Sequence, residues 1–150
     1  LGLKPADLDS LPKSYLIGEI SKVVNLVKPS DVYTAYRDDA HSDHELVYDS
    51  VMAATKVFRY PFIRRVLAYE TLSETDFGTK PSSRGFSPNV FVDISEYLDE
   101  KLNVLELFES EVSTFPFPRS RLAVESLARL RGSQSNSMAA EAFLLIKEIK

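Results

Sequence analysis

The apolar positions of this chain fall into two alternating periods. From Lys13 to Lys28, Leu16, Ile20, Val23 and Val27 recur at steps of three and four, which predicts an amphipathic helix ended by Pro29. "DVYTAY" follows, short and rich in strand formers, and predicts a buried strand. A second helix is expected from near Asp43 to Phe58, with Val47, Val51, Ala54 and Phe58 on one face. "RRVLAYE", Arg64 to Glu70, predicts another strand, and "NVFVDIS" alternates as a third. Ser95 is then expected to cap a helix carrying Leu98, Leu102, Leu105 and Phe108. A last helix from Ser120 to Arg131 is expected to stop at Gly132. The closing "AEAFLLIKEIK" fits strand or helix, since Met138, Ala142, Leu145 and Ile149 would line one helical face.

The polar segments connect these elements. "LGLKPADLDSLP" reads as a loop with Pro5 and Pro12 as breakers and Ser10 as an N-cap. Thr71 to Pro88 is rich in Ser, Thr, Gly and Pro, which predicts a long surface loop and a candidate lid. "FPFPRS" is a further break, and Ser133 to Ser137 is a polar loop. The chain carries no internal repeat, low-complexity tract or domain linker. Helices alternating with short strands predict an α/β layered sheet in one domain spanning 1–150.

Composition narrows the function. With 18 basic and 22 acidic residues the net charge is −4, which argues against a nucleic-acid or anionic-membrane partner. No apolar run approaches the ~20 residues of a membrane span. Zero cysteines exclude disulfides and thiolate zinc sites and fit a reducing compartment, so a cytoplasmic location is expected. The chain begins Leu1-Gly2-Leu3, with methionine only at Met52 and Met138. It is therefore expected to be a processed or truncated polypeptide, from which no leader can be read.

Both histidines stand within "YRDDAHSDHELV", Tyr36 to Val47, among Asp38, Asp39 and Asp43. One reading is structural: Ser42 and Glu45 match the S-x-x-E capping box, and Asp43 adds favourable charge to a first helical turn. The other is chemical. The loop leaves the carboxyl end of a strand, where open α/β sheets bind ligands. His44 would face the positive end of a helix, which disfavours imidazolium and leaves the metal-binding neutral ring. His41 and His44 could converge on one cleft, with Asp43 orienting an imidazole. A catalytic zinc takes three protein ligands and an open position, and this loop is too short to supply all three.

"KPSDVYTAYRDDAHSDHELVYDSVMAATK" resembles the second conserved block of the LmbE/PIG-L family of zinc-dependent N-acetylglucosaminyl deacetylases, which pairs a Lys/Arg-Pro-x-x-Val lead-in with H-x-D-H. The similarity continues through "YETLSETDFG", "FSPNVFVDIS" and "RGSQSNSMAAEAF" and covers most of the chain. The resemblance implies a Rossmann-like three-layer α/β fold with flanking helices. It also implies that His44 is a zinc ligand, while His41 stabilises the tetrahedral intermediate or protonates the leaving amine, its ring held by Asp43. The family's A-H-P-D-D-E block, which supplies a histidine and an aspartate to the metal and a second aspartate as base, has no match here. The expectation is a C-terminal portion lacking the first strands, inactive alone, with the exposed edge covered either by a partner copy in a homo-oligomer or by a rearranged packing.

Arg59, Glu70, Glu74 and Arg84 are secondary candidates for lining a sugar pocket, against solvated surface roles. Glu141 is expected to be structural. Arg119, Arg121, Arg129 and Arg131 could meet a phosphate or uronic acid, and Phe115 and Phe117 are expected to pack. The expected activity is removal of acetyl from an N-acetylated amino-sugar conjugate, with Zn2+ or another divalent metal as cofactor. The alternatives are a non-catalytic sugar-binding or assembly module that has lost its metal block, and a zinc amidase acting on a non-sugar amide.

Overall fold

The computed structural model describes residues 2–3, 6–78 and 85–150. Leu1, Lys4, Pro5 and residues 79–84 lie outside the described residues, and with them Pro5 as a breaker, Arg84 as a pocket candidate and the middle of the expected lid. The chain has a mixed α/β fold with an open four-stranded sheet, in the order β1-β2-β4-β3, and flanking helices. It divides into two compact units, one of residues 1–87 and 144–150, the other of residues 88–143.

In the first unit, helix α1 (Lys13–Val27) precedes strand β1 (Asp31–Ala35), helix α2 (Ser42–Ala54) and strand β2 (Arg65–Tyr69). The two strands pair in parallel, from Asp31 opposite Arg65 to Ala35 opposite Tyr69. Two parallel strands need a crossover between them, and α2 supplies it. β2 stands between β1 and β4 in the sheet order, an interior position. Val66, Leu67 and Ala68 are accordingly buried in succession, the unbroken apolar run of an interior parallel strand. Val24, Ile63 and Val66 form the core here, with Ile20, Val32, Met52, Tyr60, Phe62 and Ile146 packed around them.

The phase of α1 differs from the expectation. Leu16 and Val24 are its buried residues, while Val23 and Val27 are 46% and 63% exposed. Both spacings are helical, and the partner surface rather than the period selects the buried stripe. Ser10 closes a 3₁₀ turn (Leu8–Ser10), and Pro12 is the N-cap of α1. α2 ends at Ala54, so Phe58 lies beyond it and is exposed.

In the second unit, strand β3 (Val90–Asp93) runs antiparallel to the start of strand β4 (Ala140–Glu148), with Val90 opposite Phe143 and Asp93 opposite Ala140. The closing segment is thus a strand. Helices α3 (Leu98–Glu106) and α4 (Arg121–Ser135) pack on each other around Leu98, Leu102, Ala128 and Ala139. Ser95 does not cap α3, whose N-cap is Tyr97. Its hydroxyl instead bonds Asp93 and receives the amides of Met138 and Ala139.

Ser120 caps α4 as expected, its Oγ accepting the Ala123 amide at 3.2 Å. The helix then runs through Gly132 to Ser135 and closes on Asn136 in the left-handed region. Gly132 is needed for closeness, not for termination. A Cβ there would lie 2.7 Å from the Ser137 carbonyl oxygen and 2.8 Å from the Ala139 backbone. The basic side chains expected to meet an anionic ligand mostly pair within the unit: Arg119 with Glu111, Arg121 with Glu106, Arg129 with Glu125. Glu141 pairs with Lys101, a structural role as expected. Phe115, expected to pack, is 63% exposed. Among the described residues, no helix is long and apolar enough to cross a membrane.

Candidate functional site

β1 ends at Ala35, and residues 36–41 form the loop that delivers the chain to α2. The loop is fixed at its base by Arg37, whose Nε donates to Asp49 at 3.0 Å and whose Nη2 meets Glu45 at 2.8 Å. Glu45 thus meets Arg37, and Ser42, expected to open a capping box with it, is the first residue of α2 and not its N-cap. The N-cap of α2 is His41, in an extended conformation, and its Nδ1 accepts the Asp43 amide at 3.1 Å. An imidazole lone pair does here what a serine oxygen usually does.

His44 lies one turn on, its amide donating to the His41 carbonyl at 3.1 Å. The two rings stack, with centroids 5.4 Å apart and planes 24° from parallel. His44 Nδ1 is 2.6 Å from Asp39 Oδ2, and the Asp39 side chain has no exposed surface. That bond raises the pKa of His44 above its ordinary value against burial, which lowers it, and the charges of Asp39, Glu74 and Asp43 raise it further. The helix N-terminus was expected to disfavour the imidazolium; the Asp39 carboxylate against Nδ1 acts in the opposite sense and favours it.

These contacts set opposite tautomers when both rings are neutral. An ionised carboxylate only accepts, so His44 Nδ1 carries the proton and its Nε2 presents a lone pair. His41 Nδ1 accepts an amide, so its proton sits on Nε2, which presents a donor. One ring offers electrons and the other a proton. His44 Nε2 fits one corner of a metal site, oriented from behind by a carboxylate as metal-binding imidazoles commonly are. Among the described residues, no group of three or more His, Cys, Asp or Glu side chains is placed to hold a metal ion.

Asp43 is brought to the site, but its carboxylate does not hold the His41 ring. Oδ2 accepts the Ala6 amide at 2.7 Å and Oδ1 the Leu8 amide at 3.4 Å, so the bond to His41 comes from the Asp43 backbone. Three residues at the site went unread in the sequence as site residues. Asp39 is the partner of His44, and Thr75 Oγ1 donates to the other Asp39 oxygen at 2.7 Å. Tyr69, at the end of β2, has its phenol pKa raised by burial and by the Asp39 charge. The signal for Asp39 was its place in an acidic pair just past a strand. Thr75 lies 36 residues from it and gave none. Of the secondary candidates, Glu74 is tied to the loop after β1 through its carbonyl, which accepts the Ala40 amide at 3.0 Å. Arg59 lies over the ring of Phe58.

No protein-family model matches the chain. Among solved structures, it is similar to the conserved protein TT1542 from Thermus thermophilus, with a TM-score of 0.77 at 18% identity over 100% of this chain and 66% of that one. It is also similar to the N,N′-diacetylchitobiose deacetylase from Pyrococcus horikoshii, solved with its inhibitor MPG. There the TM-score is 0.63 at 15% identity, over 91% of this chain and 53% of that one. The likeness is one of fold, and the chain spans 66% and 53% of the lengths of these two proteins.

Proposed function

We propose that this chain is part of an LmbE/PIG-L-type hydrolase that removes acetyl from an N-acetylated amino-sugar conjugate, using zinc or another divalent cation. The observation that carries the reading is the pair of stacked imidazoles at the carboxyl end of a parallel strand, fixed in opposite tautomers by Asp39 and by the Asp43 amide. The fold shared with a diacetylchitobiose deacetylase supports the choice of substrate class.

When bound, the metal polarises the acetyl carbonyl and makes a water nucleophilic near neutral pH. His44 would hold it through Nε2, and Asp39, by taking the Nδ1 proton of the neutral ring, leaves Nε2 as the lone-pair end and aims it. His41 would present Nε2–H to the oxygen on which negative charge develops and stabilise it there, its Nδ1 being engaged as acceptor of the Asp43 amide. Asp43 acts on His41 through its amide, and its carboxylate fixes the segment around Ala6 and Leu8. The remaining metal ligands would come from outside the described residues, so the 150-residue chain by itself should bind zinc weakly and release no acetate.

The test uses the protein expressed from its complete coding sequence, assayed for acetate release from N,N′-diacetylchitobiose and from N-acetylglucosamine conjugates. His44→Ala should lose the metal. His41→Ala should keep it and lose turnover. Equal metal loss in both variants refutes this division of labour, and acetate release unaffected by metal removal refutes the reading as a whole.

A further inference from the structure

Residues 71–78 open the segment expected to be a long surface loop and candidate lid, and three contacts bind them to the loop that follows β1. The Ala40 amide donates to the Glu74 carbonyl at 3.0 Å, and Thr75 Oγ1 donates to Asp39 Oδ1 at 2.7 Å. Gly78 lies so close to Asp38 that a Cβ would stand 2.3 Å from its carbonyl oxygen. The Thr75 hydroxyl also accepts the Thr71 amide at 2.8 Å.

A hydroxyl has one proton and two acceptor sites. With the Thr71 amide on one acceptor site and an acceptor-only carboxylate opposite, its proton points at Asp39. The bonds then run in sequence. Thr71 N–H donates to Thr75 Oγ1, and Thr75 O–H donates to Asp39 Oδ1. Asp39 Oδ2, in turn, receives His44 Nδ1–H at 2.6 Å. A carboxylate held at only one oxygen can rotate about its χ2, which is broad and roughly two-fold. Held at both, Asp39 has one orientation, and the ring it receives has one tautomer.

We propose that Thr75 is a positioning residue for His44, acting through the buried Asp39 carboxylate, so that the loop after β2 sets which nitrogen of His44 faces a metal. The consequence for metal binding rests on the function proposed above, whereas the consequence for the tautomer does not. Outer partners of metal-binding side chains typically change metal affinity by about 10–100-fold. Thr75 stands one bond further out, so an effect of about tenfold is expected, at the low end of that range.

The experiment compares wild type, Thr75→Ser and Thr75→Val in the protein expressed from its complete coding sequence. The His44 tautomer is read from the 15N shifts of labelled imidazoles in metal-free protein, at a pH above the point where those shifts stop changing. Zinc affinity is read by competition titration, and thermal melts are recorded alongside. Wild type and Thr75→Ser should hold the Nδ1–H tautomer. Thr75→Val, equal in shape, should show a mixture with Nε2–H and the lower zinc affinity. A melting shift in Thr75→Val with an unchanged His44 spectrum would mean a merely structural role and overturn the proposal. So would a spectrum and affinity indistinguishable from wild type. Should Thr75→Val fail to fold, Thr75→Ala removes the hydroxyl without added bulk and carries the same comparison. If wild type binds no zinc, the metal-dependent function falls, while the tautomer comparison still decides the role of Thr75.

Discussion

Replacing Asp43 with asparagine separates two roles that the sequence assigns to one side chain. If its carboxylate holds the His41 ring, Asp43→Asn should act like a mild His41 defect and lower turnover. The structure places the carboxylate elsewhere, on the amides of Ala6 and Leu8, and holds His41 by the Asp43 backbone, which the substitution leaves intact. The expected loss is therefore of stability. Hydrogen bonds to a charged acceptor contribute roughly 1.5–3 kcal/mol and neutral ones about 0.5–1.5. The 2.7 Å bond to Ala6 thus weakens by about 1 kcal/mol when an amide oxygen takes over. The negative charge in the first turn of α2 contributes a further 0.3–1 kcal/mol or so, roughly, by opposing the helix dipole. The 3.4 Å bond to Leu8 is already long and adds little. The sum is about 1–2 kcal/mol, measurable by equilibrium urea unfolding as a lower midpoint at unchanged slope. Metal content and the turnover of folded protein should stay near wild type. A tenfold fall in turnover, equal to about 1.4 kcal/mol of barrier, with unfolding unchanged would return the carboxylate to the chemistry and refute the assignment.

Two further outcomes follow from other parts of the molecule. Gly132→Ala should destabilise by about 1–3 kcal/mol, the usual cost of overpacking, because the added carbon meets backbone rather than a movable side chain; an unchanged thermal melt would contradict that approach. Asp49, which receives Lys13 and Arg37, has its pKa lowered chiefly by the bond from Lys13, against burial. Its folded pKa lies below its unfolded value, so its contribution is full above the unfolded pKa and is lost as the pH falls through the folded one. Wild type should therefore exceed Asp49→Asn in stability at neutral pH, and acid titration of unfolding should close that gap; a gap independent of pH would disprove the ion pairing.

What could be read from the sequence depended on how local its cause was. Leu16 and Val24 share a period with Val23 and Val27, so the helix was legible, but which stripe is buried depends on the surface it meets. β2 was legible because its apolar run has no helical alternative of that length. Gly132 read as a stop signal because glycine commonly ends helices, whereas here it admits the backbone of Ser137 and Ala139. His41, His44 and Asp43 lie together in the structure, as their place in one short stretch implies. The carboxylate beside His44 was not legible, because Asp39 takes its place through a loop path and a contact with Thr75 that no spacing encodes.

β4 has a further consequence. Its first residues, Ala140 to Phe143, pair with β3, and from Leu144 it belongs to the unit built on β1 and β2. Local opening in proteins proceeds in contiguous cooperative blocks of differing free energy. Within its unit, the Ala140–Phe143 stretch and β3 make one such block, a ladder from Val90 opposite Phe143 to Asp93 opposite Ala140, with the Asn89 amide on the Phe143 carbonyl. Their amides should therefore lose protection against hydrogen exchange together, a single rate read along four paired positions.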